Sequence, residues 1–540
     1  GVAPPRSANR RTATPPVREL LLTDAQRQPS DVPVLRILHE RPDECACQTI
    51  TRRQAIGAIT LALLLVALLL WRPLPALITL NGILIAFYVV HSTYKFYLVA
   101  VSLERPVLMD ATPEELACLD EASLPTYTLL IPLYREAAVL GRLVEGLRRM
   151  DYPEEKLDVM LLLEEDDRET IEAAQAIELP PHIRPVIVPD SQPKTKPKAC
   201  NYGLFTCESD LLVIYDAEDR PEPDQLKRAA LAFSRAPEHV ACIQAKLNYY
   251  NQRQNLLTRW FTAEYSVWFD LFLPGLTASG APIPLGGTSN HFRVEPLKEL
   301  GGWDPFNVTE DCDLGVRLHK HGWRTSMLAS TTWEEANGRL WSWFRQRSRW
   351  VKGYLQTWLV HTREPLRLLR ELGPADWFSF QMTVGGSLLC FLINPLYWAM
   401  TVAWLSTHSE AISALFPPGI YLLGSFCLFF ANFVFVYMSV AGCMARGYSD
   451  LVKYALLTPI YWLMMSIGAY KAYAQILVRP HYWEKTDHGI FDLDSDAHVQ
   501  SYGGEGLESL PATCDNEEQQ PGAAEAPPLQ NARRDEGEPQ

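Results

Sequence analysis

"DLLVIYDAED", Asp210–Asp219, is the stretch on which the fold turns. Five apolar residues run together from Leu211 to Tyr215 with no polar residue between them. An alternating pattern would mean one wet face. An unbroken run suits a strand buried on both faces, as in a parallel sheet sandwiched by helices. Asp216 follows the last apolar residue and so falls at the rim of the sheet, with Glu218 and Asp219 beside it. Working outward, "TYTLLIPLY" (Thr126–Tyr134), "LDVMLLLEE" (Leu157–Glu165) and "IRPVIVPD" (Ile183–Asp190) repeat the pattern. Between the first two lies "AAVLGRLVEGLRRM" (Ala137–Met150), with Leu140, Leu143, Val144 and Leu147 on one helical face. Strand and helix alternate, which predicts an α/β domain with a parallel sheet covered on both faces, whose ligands bind outside the carboxyl ends of the strands.

Acidic residues gather at those ends. Asp166 and Asp167 follow the second run within "EEDD", and "YDAED" follows the fourth. A third cluster, "NVTEDCDL" (Asn307–Leu314), carries Glu310 and Asp311. Read singly, each has an ordinary explanation: a solvated turn, a capping aspartate, or acids in the first turn of a helix capped by Asn307 or Thr309. Carboxylates at a sheet rim also suit a hard divalent cation bridging diphosphate oxygens.

The flanks are different in kind. "AIGAITLALLLVALLL" (Ala55–Leu70) and "ALITLNGILIAFYVVHSTY" (Ala76–Tyr94) approach the ~20 residues that cross a bilayer. Met382–Leu405 and Gly419–Cys443 do the same after the α/β region. A shorter fifth run, Tyr454–Tyr470, contains Pro459 and reads as a re-entrant or interface-lying helix. Position 55 lies too deep for a signal peptide. Ser406–Pro418 holds no Lys or Arg, whereas the long connection from 103 to 378 is rich in both. That connection is therefore expected in the cytosol, the chain being a multi-pass protein of the cell membrane.

The net charge of −14, from 49 Lys+Arg and 63 Asp+Glu, is misleading. From Glu484 onward there are fourteen acidic and three basic residues, so most of the excess sits in the tail, and nothing points to nucleic-acid binding. Cys45 and Cys47 form a C-x-C with no second pair, which argues against zinc. The scattered cysteines suit a reducing compartment. Residues 1–50 and 503–540 have the composition of disordered segments. The expected organisation is then a disordered 1–50, a transmembrane hairpin over 51–103, the α/β domain over 104–377, membrane or interface helices over 378–480, a membrane-exit segment over 481–502, and the acidic tail over 503–540.

One segment stands apart: "FRQRSRWVKGYLQTW" (Phe344–Trp358), cationic and rich in tryptophan. By itself it suits an amphipathic helix at lipid headgroups. In order, however, Asp166/Asp167, "DAED", "TED" and "QRSRW" (Gln346–Trp350) resemble the D, DxD, TED, Q-x-x-R-W signature of processive family 2 glycosyltransferases. That family includes the cellulose, hyaluronan, chitin and exopolysaccharide synthases. "IPLYRE" (Ile131–Glu136), "KPKACNYGL" (Lys196–Leu204), "GGTSNHFR" (Gly286–Arg293) and "GGWDPFNVTED" (Gly301–Asp311) extend the likeness. "TTWEEA" and "WEKTDHG" make it most similar to bacterial biofilm-polysaccharide transferases.

The resemblance implies an α/β GT-A (Rossmann-like) cytosolic domain inserted between α-helical transmembrane segments, which polymerises a UDP-sugar, best guessed as UDP-glucose, into a β-linked exopolysaccharide and translocates it. It implies Asp311 as the catalytic base, and Glu136, Asp166, Asp167, Lys198, Asp216, Gln346 and Arg349 around the donor nucleotide. It places Glu310 and Trp350 at the acceptor, Asp216 and Glu218 on Mg²⁺ or Mn²⁺, and Trp483 and Thr486 in a gate. Glu218 stands where the family has Asp, and Asp219 beside it is a substitute ligand. Accessory export or regulatory subunits are expected partners, since no regulatory domain is evident. Two alternatives remain: transfer of one sugar to a lipid acceptor, and a non-catalytic assembly or receptor protein.

Overall fold

The computed structural model describes residues 33–105 and 107–484. Its centre is a nine-stranded mixed sheet of β1 (Leu108–Met109), β2 (Tyr127–Leu133), β3 (Leu157–Glu164), β4 (Ile183–Val188), β5 (Leu211–Ile214), β6 (Arg220–Pro221), β7 (Val240–Tyr249), β8 (Asn290–Arg293) and β9 (Arg324–Glu334). The spatial order is β1-β9-β7-β8-β5-β2-β3-β4, with β6 on β9. The four strands legible in the sequence are β2 to β5, all parallel to one another. β8 runs antiparallel to both its neighbours, β5 and β7.

The unbroken apolar runs are explained by two cores. Leu130, Leu162 and Leu212 pack on one face of the sheet. Leu129, Ile131, Leu161, Leu163 and Val213 pack on the other. Successive side chains of a strand point to opposite faces, so a strand covered on both sides has no position left for a polar residue. Each such side chain contributes roughly 1.5–3 kcal/mol by leaving water. Gly203 lets the Lys196–Thr206 helix lie close, since a Cβ there would sit 2.6 Å from Leu130 Cδ2. From β2 the chain turns to β3 and β4 on one side, then crosses back to β5 on the other. The carboxyl ends of β2 and β5 therefore flank the crevice where such sheets hold ligands.

Among the described residues, four helices are long and apolar enough to cross a membrane: Arg52–Trp71, Pro73–Glu104, Pro365–Thr407 and Pro418–Ala445. Arg52–Trp71 starts at a capping box between Thr51 and Gln54 and has no buried residue, so all its apolar side chains lack protein cover. The fifth apolar run is bent by 63° between Ser449–Ala455 and Thr458–Val478, the shape of a broken or re-entrant segment.

The expected disorder of 1–50 does not hold for its second part. Ile37, Leu38, Cys45 and Ala46 are buried against Phe306 and Val360. The Ala46 amide donates to Asp304 (2.5 Å). The Arg363 guanidinium gathers the carbonyls of Pro42 (3.2 Å), Asp43 (2.8 Å), Cys45 (2.9 Å) and Gln48. Composition alone carries no sign of these acceptor surfaces, which are built more than 250 residues away in sequence. The expected tail, and most of the expected gate, lie outside the described residues.

Candidate active site

Three elements bring the acids together. β5 ends at Ile214, and the turn after it presents Asp216, Glu218 and Asp219. The Asp216 amide and the Thr288 hydroxyl both donate to Asp219 Oδ2, the first at 2.7 Å. Asp219 Oδ1 is buried with no partner among the described residues. Burial, together with the charges of Asp216 and Glu218, pushes the Asp219 carboxyl well above its ordinary range.

The second element is the Glu310–Lys320 helix, whose first turn carries Glu310 and Asp311. Thr309 holds the capping position but its side chain makes no capping bond. The Thr309 amide instead donates to Asn307 Oδ1 (3.1 Å). The Asp311 carboxylate accepts from the Cys312 amide (2.7 Å) and lies against Gly287, where a Cβ would come within 3.3 Å of Oδ2. Burial raises Asp311 to about 6. Burial and the neighbouring Asp311 charge raise Glu310 to about 8.

The third element is the Leu340–His361 helix with Gln346, Arg349 and Trp350. Its far end holds the Asp311 loop: Gln356 Oε1 accepts from the Val308 amide and Thr357 Oγ1 from Asn307, both at 3.0 Å. Gln346 Oε1 accepts from Asn337 (3.0 Å). Trp350 stacks beside Tyr265 at 6.2 Å, with the Arg347 guanidinium 4.7 Å above its ring. Arg347 is spoken for by Glu264 and the Tyr461 hydroxyl, so it braces the indole from behind. Arg349 faces forward, among the charges of Glu310, Asp216, Asp311 and Glu218; burial lowers its pKa.

Asp216, Glu218, Glu310, Asp311, Gln346, Arg349 and Trp350 thus line one cavity of about 430 Å³. Trp483 closes one side of it. Arg349 lies 4.7 Å over the Trp483 ring and donates to the Glu484 carbonyl (3.2 Å). Glu484 is held in turn by Lys471 (2.8 Å), and Lys352 donates to the Tyr482 carbonyl (2.5 Å). Thr486 lies outside the described residues.

The other expected nucleotide contacts do not line this cavity. Asp166 pairs with Lys194 (2.6 Å), which lowers its pKa. Asp167 caps the Arg168–Ala176 helix and accepts from the Arg135 amide. The Glu136 amide donates to Thr170 (3.2 Å). These sit together at the carboxyl ends of β2 and β3. Lys198 requires a correction: it is fully buried, paired with Glu164 at 2.6 Å, and donates to the Pro189 carbonyl (3.1 Å). Lys196, two residues earlier, is the lysine that reaches the cavity, bridging Asp216 and the Gly287 carbonyl (2.9 Å). Glu334, at the end of β9, also faces the acids, and burial and the charges of Asp219, Asp216 and Glu218 hold its carboxyl well above the ordinary range. The signal for Glu334 was "TTWEEA", which ends beside "DAED" because β6 pairs Arg220 with Trp333.

A divalent cation fits this donor set. Among the described residues no three acidic, histidine or cysteine side chains already converge on one point. A small hard cation, however, takes only one or two carboxylates and draws its other oxygens from water and substrate phosphates. Asp216, Glu218 and the unpartnered Asp219 Oδ1 are oxygen donors of that kind.

Residues 125–353 match the family model described as "Glycosyltransferase like family 2". That match, on the sheet just described, makes the segment similar to a family 2 glycosyltransferase domain. A β-monoglucosyldiacylglycerol synthase of Synechocystis sp. is 28% identical over 295 residues, which are 52% of this chain and 60% of that one. Glucomannan 4-beta-mannosyltransferase 2 of Arabidopsis thaliana is 26% identical over 251 residues, 44% of this chain and 45% of that one. The chain thus spans about half the length of the curated relatives it matches. Among solved structures, a mannosyltransferase from Pyrobaculum calidifontis in complex with GDP-Man and Mn²⁺ covers 74% of this chain and 99% of its own, at 17% identity and a TM-score of 0.48.

Proposed function

We propose that this chain is a membrane-embedded inverting glycosyltransferase that draws hexose from a UDP-sugar, with UDP-glucose as the working donor, and extends a β-linked glycan that leaves through its own helices. One observation carries the reading. The cavity that holds the acids, Arg349 and Trp350 runs on without a break between the apolar helices, past Thr383, Ser387 and Asn394.

In this reading Asp311 takes the proton of the acceptor hydroxyl. A carboxyl at about 6 is ionised at neutral pH yet basic enough to accept that proton in the transition state. Glu310, at about 8, stays protonated and offers its O–H to an acceptor oxygen. The Arg349 guanidinium presents a planar fork to the leaving diphosphate. Lys196 supplies a second cation beside it. Asp216, Glu218 and Asp219 would hold a divalent cation, which when bound stabilises charge on the departing phosphate. Trp350 offers an indole face, held rigid by Tyr265 and Arg347, to the terminal acceptor sugar. Trp483, tied to Arg349, is poised as the gate over the nucleotide.

A lipid acceptor is the second reading, favoured by the name of the Synechocystis relative, a synthase of β-monoglucosyldiacylglycerol. The hydroxyls and amide along the bundle part of the cavity favour a glycan over acyl chains. The purified chain with UDP-glucose and Mg²⁺ or Mn²⁺ tests both. Trp350→Ala should abolish polymer while nucleotide affinity persists. A product that partitions as a single-sugar glycolipid would exclude the glycan reading.

A further inference from the structure

The catalytic site accounts for the cavity up to Trp350. It leaves unexplained a polar cluster where the cavity enters the helix bundle. Lys95 and His91 stand one helical turn apart on Pro73–Glu104, and both line the cavity. Lys95 follows directly on the apolar stretch Ala76–Tyr94, at its cytosolic end. The Lys95 ammonium has no hydrogen bond or ion pair among the described residues. It rests instead over the rings of Phe272 (5.4 Å) and Phe435 (5.7 Å). His91 is 1% exposed, and its Nδ1 is buried without a partner. Thr383, across the cavity, is 3% exposed and its hydroxyl is likewise buried without a partner.

The backbone is shaped around this cluster. Phe272 and Thr383 lie in π-helical turns, Trp268–Phe272 and Gln381–Gly386. Such turns are rare and frequently mark functional sites. Gly386, which ends the second turn, leaves room for the imidazole, since a Cβ there would sit 2.7 Å from His91 Nδ1.

Two aromatic faces contribute roughly 0.5–2 kcal/mol to a cation, which does not replace the water and counter-ion it gives up. A half-buried ammonium on the cavity wall, with no counter-ion among the described residues, calls for an anion that arrives with the ligand. We propose that the mouth of the helix bundle is a second saccharide subsite, at which Lys95 holds a carboxylate on the glycan entering the bundle. The carboxylate oxygens accept from the Lys95 ammonium. Phe272 and Phe435 pack on the apolar faces of the flanking sugars. The product is then an acidic polysaccharide, in which at least some residues are uronic acids, each transferred from a UDP-uronate donor accepted alongside UDP-glucose. This rests on the glycan reading above.

The test uses the full chain in nanodiscs of zwitterionic lipid, saturated with UDP. Binding is measured for a β-linked neutral tetrasaccharide and for a tetrasaccharide of the same length containing uronic acid. One charge-assisted hydrogen bond corresponds to about a tenfold preference. The acidic sugar should bind about tenfold tighter, the preference should vanish in Lys95→Met, and Lys95→Arg should keep it. UDP affinity reports folding in each variant. Equal affinity for the two sugars, or a preference that survives Lys95→Met, overturns the proposal and leaves the glycan reading standing. If neither sugar binds while UDP does, the glycan reading itself fails. If phosphatidic acid in the disc binds in a Lys95-dependent way and the uronate does not, the anion is a lipid phosphate and the proposal is wrong.

Discussion

Gly353→Ala is expected to cripple catalysis from a position that touches no substrate. In an open helix interior the change from glycine to alanine stabilises by about 0.5–1 kcal/mol. Gly353, however, lies three residues beyond Trp350 and packs on Thr309, which immediately precedes Glu310 and Asp311. A Cβ there would stand 2.2 Å from Thr309 Oγ1, 2.5 Å from Cγ2 and 2.7 Å from Cβ. Ordinary contact needs about 3.5 Å, so the helix and the loop must part by about 1 Å. That movement separates the base from the acceptor platform. A misplacement of this size costs about a hundredfold in turnover, and overpacking costs about 1–3 kcal/mol of stability. The assay is UDP release under saturating donor, with nucleotide affinity measured alongside. Turnover should fall about a hundredfold and nucleotide affinity by less, because Lys196 and Asp216 lie on neither element and only Arg349 moves with the helix. A second change sharpens the test. Thr309→Ala removes Oγ1 and Cγ2, and Thr309 Oγ1 has no hydrogen-bond partner to lose among the described residues. In the Gly353→Ala background it should restore turnover by roughly tenfold. Wild-type turnover in Gly353→Ala, or no rescue by Thr309→Ala, would refute the reasoning.

The rate should also depend on pH through Asp311. Burial raises its folded pKa from 3.8 to about 6, and only the ionised form accepts a proton. Turnover should therefore be level above about pH 6 and fall roughly tenfold per unit below it. An acid limb near pH 4, or residual turnover in Asp311→Asn, would count against this base. Lys198→Met should act on stability. It strands Glu164 in the interior at a cost of about 3–5 kcal/mol, read as a lower denaturation midpoint, and Glu164→Leu in the same chain should recover much of it. Lost nucleotide affinity in a variant of normal stability would instead return Lys198 to the phosphates.

The strands β2 to β5 were legible because their cause is local. A strand covered on both faces excludes polar residues, and that exclusion is visible as "LLVIY" or "LLLE" without knowing what covers it. The apolar helices were legible for the same reason, since a run's length and lack of charge are one-dimensional properties. The order of the acids and "QRSRW" pointed to the chemistry, the acids being bound to the end of a strand or the first turn of a helix and "QRSRW" to the interior of one long helix.

What the sequence left open is which of several plausible side chains faces the cavity. Lys196 and Lys198 share the motif "KPK". Two residues of helix turn a side chain by about 200°, so one lysine faces the acids and the other the sheet. Their spacing says that they point apart; only the packing of the helix on β2 and β3 says which points where. Residues 34–49 look like a linker until Asp304 and Arg363 supply the partners for their backbone. Glu334 becomes part of the acid cluster only through the pairing of β6 with β9. Gly353 matters only because Thr309 lies against it. In each case the deciding contact joins positions that neither periodicity nor composition connects. Element type followed from the chain alone, while the identity of the cavity-facing residues waited on the tertiary structure.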